Sequence, residues 1–258
     1  MVLEASHPNA ALEIRSPHRD LDFLKGASPP KIALFDLDNT LLRGDSDYLW
    51  GCFLVEEGLV DGEAYLEANA RFYRDYQEGR LDIEAFLRFA LRPLAEHPPE
   101  KLFKLRERFI AEKIEPIVLP AARWLVESHR ERGDRLVIVT ATNAFITRPI
   151  AELFGIEELI ATEPEFKEGR YTGNFVGTPA FREGKVARLI EWRARKGLEE
   201  IPIGWAYSDS QNDLPLLELA ETAVAVDPDE ALRREAQRRG WPQISLRKGD
   251  LPILLGEG

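Results

Sequence analysis

The chain contains 258 residues, of which 44% are hydrophobic, and it carries a formal net charge of −11 at pH 7. This size and composition predict a globular protein of one or two domains, and the acidic charge argues against a nucleic-acid partner. Cys52 is the only cysteine, which excludes an internal disulfide, and no apolar run reaches the ~18 residues of a membrane span.

Residues 1–30 contain several prolines and no pattern of a regular element, which predicts an N-terminal extension. They also lack a positively charged segment followed by an apolar core, the pattern of a secretory signal peptide. We therefore expect a cytoplasmic protein without a membrane partner. The sequence gives no indication of its oligomeric state.

The first predicted strand is a short apolar run, residues 32–35, that stops at Asp36. Asp38 lies two residues later, so the two carboxylates project to the same side. Packing a strand does not require two acids at its end, whereas holding a hard metal ion beside a phosphate group does. An Asp-x-Asp turn that caps the next helix is the structural alternative.

The chemistry of this pair follows from its charges. With an ordinary pKa near ~3.9, Asp36 is a carboxylate at neutral pH and can attack phosphorus without a base. A phosphate dianion would repel it, because two unit charges ~4 Å apart cost ~4 kcal/mol at an effective dielectric of ~20. A cation must therefore bridge them. Asp38 would protonate the leaving alkoxide and then deprotonate water.

The interval between this motif and the next strand is about 100 residues long and contains little that resembles a strand. Its helical patterns run through residues 46–59, 61–78, 82–92 and 98–114. Gly and Pro residues separate these segments. The pattern predicts an all-helical insertion that covers the site.

Three later segments also place polar residues where ligands bind in α/β proteins. Residues 136–140 form a second continuous apolar run, which ends on Thr140. Lys185 begins an amphipathic helix, a position that is unfavourable for a cation unless it neutralises a bound anion. A solvated surface lysine is the alternative. Residues 203–208 form a third strand, which continues into an Asp-Ser-Gln-Asn-Asp loop that starts at Asp209.

Taken in order, these four segments resemble the motifs of the haloacid dehalogenase (HAD) superfamily, over about residues 31–246. The resemblance implies an α/β fold with a Rossmann-like, doubly wound parallel sheet as its core. The expected core domain comprises residues 31–43 and 117–258, and the expected all-helical C1 cap domain comprises residues 44–116. A helical cap at this place is similar to subfamily IB, the phosphoserine phosphatase-like branch.

The resemblance also implies a role for each motif residue. Asp36 is the expected nucleophile and Asp38 the expected acid and base. The expected phosphate-binding residues are Thr140, Ala141 and Lys185. The expected metal ligands are Asp36, Asp38 (through its backbone carbonyl) and Asp209, with Asn212 and Asp213 just outside them. An oxygen-only set of this kind predicts Mg²⁺ as the cofactor.

Candidates for substrate recognition lie mostly in the cap. Phosphoserine phosphatases of this branch carry a Glu nine positions after the nucleophile, where this chain has Asp45. Asp45 either binds a substrate amine or caps the first cap helix. Arg71 or Arg74 is the candidate partner of a substrate carboxylate, and Asn143 is a further candidate contact. The expected substrate is a small phosphorylated metabolite of amino-acid biosynthesis, of the histidinol phosphate or phosphoserine type.

The motifs thus predict a Mg²⁺-dependent phosphomonoesterase that forms an aspartyl-phosphate. A phosphotransferase or mutase would use the same intermediate and is the first alternative. A haloalkanoic-acid dehalogenase is less well supported, because it needs neither Asp38 nor Asp209. A non-catalytic binding protein would not need all four motifs intact.

Overall fold

The computed structural model describes residues 29–256, so the predicted N-terminal extension lies almost entirely outside the described residues. Within this range, eight strands form one sheet in the order β4-β3-β2-β1-β5-β6-β7-β8. The strands are Ile32–Phe35 (β1), Arg135–Asn143 (β2), Glu158–Lys167 (β3), Arg170–Val176 (β4), Ile203–Ser208 (β5), Thr222–Val226 (β6), Gln243–Ser245 (β7) and Ile253–Leu254 (β8). All neighbours are parallel except for β4 and β8, which run antiparallel at the two edges.

Five α-helices lie between β1 and β2 within the described residues, and one α-helix lies between each later pair of consecutive strands except β3–β4 and β7–β8. The α-helices are Ser46–Glu56 (α1), Gly62–Gln77 (α2), Ile83–Glu96 (α3), Pro99–Phe109 (α4), Pro120–Glu131 (α5), Ala144–Leu153 (α6), Glu183–Lys196 (α7), Leu214–Leu217 (α8) and Glu230–Arg239 (α9). None of the helices within residues 29–256 is both long enough and apolar enough to span a membrane.

The central strand β1 is buried on both faces, which explains its continuous apolar sequence. Ala33 and Phe35 belong to one hydrophobic cluster, whereas Ile32 and Leu34 belong to another on the opposite face. Helices α5 and α6 contribute to the first cluster, and α7, α8 and α9 contribute to the second. This arrangement confirms the predicted doubly wound α/β core.

Helices α1 to α4 form the helical insertion and share the first hydrophobic cluster with the core. The ring of Trp50 on α1 lies 5.1 Å from that of Phe109 and 5.8 Å from that of Phe145 on α6, measured between centroids. The two connecting segments pair with each other, since Arg43 N donates to Ile117 O at 2.8 Å. This pairing brings together the two ends of the helical insertion.

The strand order places the site. The chain proceeds from β1 outward through β2 and β3, and then returns to the other side of β1 with β5. Open α/β sheets bind ligands outside the carboxyl ends of the strands at such a reversal. Strand β2 continues past its predicted end at Thr140 as far as Asn143, because Asn143 pairs with Thr162 of β3.

Candidate active site

The loop that carries Asp36 and Asp38 follows β1 directly. Asp36 N donates to Tyr207 O of β5 at 2.9 Å, and Asn39 adopts a left-handed conformation with φ of 60°. The resulting turn brings Thr40 Oγ1 to 3.0 Å from Asp36 Oδ2 and 3.2 Å from Asp209 Oδ1. Asp209 N also donates to this hydroxyl, at 3.1 Å. Thr40, to which the sequence analysis assigned no role, therefore fixes the β1 and β5 loops to each other.

The side chain of Asp38 is oriented by the cap and by β2. Its Oδ1 accepts a hydrogen bond from Ser46 N at 2.6 Å, at the first residue of α1. Its Oδ2 accepts from Thr142 Oγ1 at 2.9 Å and lies 3.4 Å from Thr140 Oγ1. Burial raises the pKa of Asp38 despite these hydrogen bonds. The carboxyl is thus positioned to hold a proton and to exchange it with a ligand in the cleft.

Lys185 lies beneath the nucleophile with its side chain 1% exposed. Its ammonium is 2.8 Å from Asp36 Oδ1 and 2.7 Å from Asp213 Oδ1, and Asp213 Oδ2 accepts a further bond from Ser208 at 2.8 Å. These two carboxylates raise the pKa of Lys185 even though burial lowers it. A Cβ on the preceding Gly184 would lie 2.0 Å from Pro179 O, so only glycine allows this close approach.

The negative charge of the site exceeds the charge of this lysine. Burial, which the nearby Lys185 only partly offsets, raises the pKa of Asp36 to about 7, and burial together with Asp36 raises the pKa of Asp209 well above its ordinary value. The pKa of Asp36 is thus higher than the ordinary value of ~3.9 on which the expectation of an ionised Asp36 was based. The sequence argument used the pKa of an exposed aspartate, which does not include the cost of burial.

A hard divalent cation fits this excess charge. Asp36 and Asp209 share Thr40 as a hydrogen-bond partner, and both offer carboxylate oxygens, which Mg²⁺ prefers. No group of three Asp, Glu, His or Cys side chains within residues 29–256 is arranged to hold an ion. The carboxylate of Asp38 is engaged with Ser46 and Thr142, so only its backbone carbonyl would be free for a cation, as the resemblance implies.

A cleft with about 520 Å³ of empty space opens over Asp36 and Asp38. Thr140 and Ala141 line it on the core side, as expected for residues that bind phosphate oxygens. Its cap side is formed mostly by aromatic and acidic side chains, namely Asp45, Asp47, Tyr48, Phe72, Tyr73, Tyr76 and Phe86, together with Asn69, Leu81 and Ile83. Of the described residues that line the cleft, none is Lys, Arg or His.

Asp45 lies in the cleft wall and also caps α1. Its Oδ1 accepts a hydrogen bond from Tyr48 N at 2.7 Å, and burial together with the charge of Asp38 raises its pKa to about 7. The helix-cap alternative thus has a geometric basis, while the side chain still borders the cleft.

The other substrate candidates lie away from the cleft. Arg71 is exposed, with its guanidinium 5.2 Å from the centroid of Phe72, and neither Arg71 nor Arg74 lines the cleft. Asn143 is buried at the N-terminal end of α6, outside the cleft lining, and its Oδ1 has no hydrogen-bond partner among the described residues.

Asn212 connects the core to the cap. Its Nδ2 donates to Tyr76 O at the end of α2 at 3.1 Å, and its Oδ1 accepts from Arg182 Nε at 3.1 Å. Arg182 also donates to Gly79 O in the cap. The sequence placed Asn212 beside the metal ligands, and it did not indicate this contact between α2 and the loop that carries Asp213.

Comparisons with known proteins identify the family. A family model described as "HAD: haloacid dehalogenase-like hydrolase" matches residues 33–218. A protein named histidinol-phosphatase from Neisseria meningitidis serogroup C is 47% identical over 219 residues, which cover 84% of this chain and 99% of the relative. A protein named phosphoserine phosphatase SerB1 from Mycobacterium tuberculosis is 34% identical, over 81% of this chain and 68% of the relative.

A solved structure is similar to this chain in both sequence and fold. The crystal structure of a protein of unknown function from Bordetella pertussis Tohama I superposes with a TM-score of 0.80 and 44% identity, covering 85% of this chain and all of that chain. The range that the family model matches, residues 33–218, contains Asp36, Asp38, Lys185 and Asp209 of the site described above. The chain therefore belongs to the haloacid dehalogenase-like hydrolases, where it groups with phosphatases.

Proposed function

We propose that this protein is a Mg²⁺-dependent phosphomonoesterase that works through an aspartyl-phosphate on Asp36. The observation that carries the proposal is that two neighbouring carboxylates face one cleft with different hydrogen-bond partners. Asp36 contacts the Lys185 ammonium and the Thr40 hydroxyl, whereas Asp38 accepts hydrogen bonds from Ser46 and Thr142 and faces the same cleft. Relatives named as phosphatases support the same reaction class.

In the first step, an Asp36 carboxylate oxygen forms a bond to phosphorus while the bond from phosphorus to the substrate alkoxide breaks. Asp38 donates its proton to that alkoxide, which leaves as an alcohol. In the second step, Asp38 accepts a proton from water as the water oxygen attacks phosphorus and releases the Asp36 carboxylate. Burial raises the pKa of Asp38, which favours the protonated form needed for the first transfer and makes the carboxylate a stronger base for the second.

The remaining residues of the site would balance the negative charge and hold the phosphate group and the metal ion. Lys185 offsets one negative charge beside Asp36, and Thr140 with the Ala141 backbone would hold the phosphate oxygens. Asp36, Asp209 and the Asp38 carbonyl would hold Mg²⁺, which supplies the positive charge that lets two anions approach each other.

The cleft also supports a substrate class. It presents Asp45 and Asp47 beyond the catalytic pair and, among the described residues, no basic side chain. Such a wall favours a substrate whose organic part carries an amine and no carboxylate, since an unpaired substrate carboxylate would be repelled. Histidinol phosphate fits this description and phosphoserine does not. The name of the 47% identical relative points the same way, toward a role in amino-acid biosynthesis.

A panel of phosphate monoesters, assayed for release of inorganic phosphate, tests the proposal. With Mg²⁺ we expect hydrolysis of L-histidinol phosphate in preference to O-phosphoserine, and loss of activity after exhaustive chelation with EDTA. Full activity after chelation would contradict the proposed metal dependence. Equal kcat/KM for the two substrates would contradict the proposed selection against a carboxylate.

A further inference from the structure

Asp47 is a buried carboxylate without a partner. It lies in the first turn of α1, is 8% exposed and lines the cleft. Among residues 29–256, no side chain or backbone group forms a hydrogen bond or an ion pair with its carboxylate. Burial, reinforced by the charges of Asp45 and Asp38, raises its pKa well above the ordinary value. The carboxylate therefore borders the cleft without a donor from the described residues.

A role in the helix dipole does not explain this burial. An acidic residue in the first turn already stabilises a helix when it is solvent-exposed, so the dipole does not require burial. The first turns of α2, α3 and α4 contain such residues, Glu63, Glu84 and Glu100, and all three are exposed. Asp47 differs from them in facing inward, toward the cleft.

A second buried acceptor lines the same cleft. Asn69 of α2 is 4% exposed. It packs against Gly51, one helical turn after Asp47, where a Cβ would lie only 2.5 Å from Asn69 Nδ2. Because Nδ2 donates to Tyr48 O at 2.9 Å, the amide is oriented and its Oδ1 is left as an acceptor.

The rest of this wall is apolar and mostly aromatic, with Leu81 and Ile83 as its aliphatic members. Tyr48 and Tyr73 contact each other with ring centroids 5.1 Å apart, and Phe72 and Phe86 do so at 5.5 Å. All four line the cleft. Aromatic faces accommodate a flat ring, and they favour one that carries positive charge. The wall therefore combines two hydrogen-bond acceptors, for which the described residues offer no donor, with aromatic faces on which a planar group can pack.

We propose that Asp47, together with Asn69 Oδ1, accepts hydrogen bonds from the ring N–H groups of an imidazole-type heterocycle in the substrate. Asp47 thereby selects an imidazole-bearing amino alcohol phosphate over one with an apolar ring. This inference rests on the proposed phosphomonoesterase function and adds a specificity residue to it.

Two substrates that differ only in the ring test the inference. L-histidinol phosphate and L-phenylalaninol phosphate share the phosphate, the amine and a flat ring, but the phenyl ring has no N–H. We expect wild-type kcat/KM to favour histidinol phosphate by about 10- to 150-fold, the value of a hydrogen bond to a charged group. In Asp47→Asn the preference should fall below about 5-fold, since only a neutral acceptor remains.

A matched variant and a stability measurement separate recognition from structure. Asp61→Asn makes the same chemical change at an exposed site that forms no side-chain cap, and it should keep the wild-type preference. Asp47→Asn should also raise the Tm of the empty protein at pH 8, because it removes an unpartnered buried carboxylate. A structural aspartate would lower the Tm instead.

Three outcomes would overturn the role of Asp47, the phosphatase proposal, or both. Wild-type protein that hydrolyses both substrates with equal kcat/KM overturns the role of Asp47 and leaves the phosphatase proposal standing, even if the variant does not fold. Wild-type protein that hydrolyses neither substrate, nor p-nitrophenyl phosphate, overturns the phosphatase proposal and this inference together. A preference that persists unchanged in a folded Asp47→Asn variant assigns the ring contact elsewhere.

Discussion

Replacing Lys185 with Met removes the buried cation that contacts Asp36 while keeping most of the apolar volume of the side chain. The ammonium lies 2.8 Å from Asp36 and 2.7 Å from Asp213. At about 2.8 Å and an effective dielectric of ~20, each pair attracts by roughly 6 kcal/mol before desolvation is counted. Much of that attraction offsets the cost of burying the lysine, and removing one partner of a buried pair typically costs about 3–5 kcal/mol.

Urea unfolding in the presence of EDTA measures this loss. With a slope of about 2–3 kcal/mol per molar urea, the midpoint for Lys185→Met should fall by roughly 1–2 M. Lys196→Met is the matched control on the same helix, since Lys196 pairs with Glu158 at 2.9 Å but is 48% exposed. An exposed pair contributes at most about 1 kcal/mol, so its midpoint should change little.

The comparison refutes the electrostatic account if Lys185→Met shifts the midpoint no further than Lys196→Met does. The carboxylates of Asp36 and Asp213 would then be stable without a neighbouring cation. In the expected case, Mg²⁺ should restore more stability to Lys185→Met than to wild-type protein, because the variant site holds more uncompensated negative charge.

Three further predictions concern single side chains. Asp38→Asn should lower kcat by ~10²–10⁴-fold in a steady-state phosphate-release assay, the usual weight of acid–base catalysis, and a loss below tenfold would contradict its role. If Asp45 binds the amine, Asp45→Asn should lower kcat/KM for histidinol phosphate by about 10- to 150-fold more than kcat/KM for p-nitrophenyl phosphate, which has no amine. Equal losses on both substrates would make Asp45 only a helix cap. Burial lowers the pKa of His129 below 6.5 and so favours the neutral imidazole in the folded protein. The stability that this neutral ring contributes is present above pH 6.5 and is lost as the pH falls. As the pH is lowered from 6.5, the Tm should fall less in His129→Gln than in wild-type protein.

The sequence predicted the features of this fold that depend on local pattern and on sheet geometry. A continuous apolar run such as residues 32–35 identifies a strand buried on both faces, and the polar residue that follows it marks the carboxyl end. Since parallel strands end at one edge of the sheet, Asp36, Thr140 and Asp209 were expected to lie together without any knowledge of distances. Helical periodicity and helix breakers identified the cap in the same way.

Long-range contacts of single side chains could not be predicted. Arg71 fits a carboxylate-binding role by residue type, but the orientation of α2 directs it to solvent, and that orientation depends on how the cap packs as a whole. Asp47 and Asn69 are separated by 22 positions in the chain, and both line the cleft because Gly51 allows α2 to approach α1. The Asp-Ser-Asp sequence at positions 45–47 was a signal for Asp47, but it fits a helix cap equally well.

The buried contacts of His129 could not be predicted from the sequence either. No sequence pattern links it to Asp134 and Tyr207, yet its Nδ1 lies 2.8 Å from the Asp134 carboxylate and its Nε2 lies 2.8 Å from the Tyr207 hydroxyl. The ring of Tyr207 stacks on Phe35 at 5.2 Å between centroids, directly before Asp36. These buried contacts depend on the register of β1 and β5, which the sequence alone does not give.

The most direct test of the account is a search for the covalent intermediate. Wild-type protein, mixed with Mg²⁺ and L-histidinol phosphate and quenched in acid at a series of times, would be digested and its peptides weighed by mass spectrometry. We predict that one phosphoryl group appears on the peptide that contains Asp36 and that Asp36→Asn shows neither this adduct nor turnover. Turnover without a phosphorylated Asp36 peptide at any quench time, or wild-type-like turnover by Asp36→Asn, would contradict the proposed mechanism.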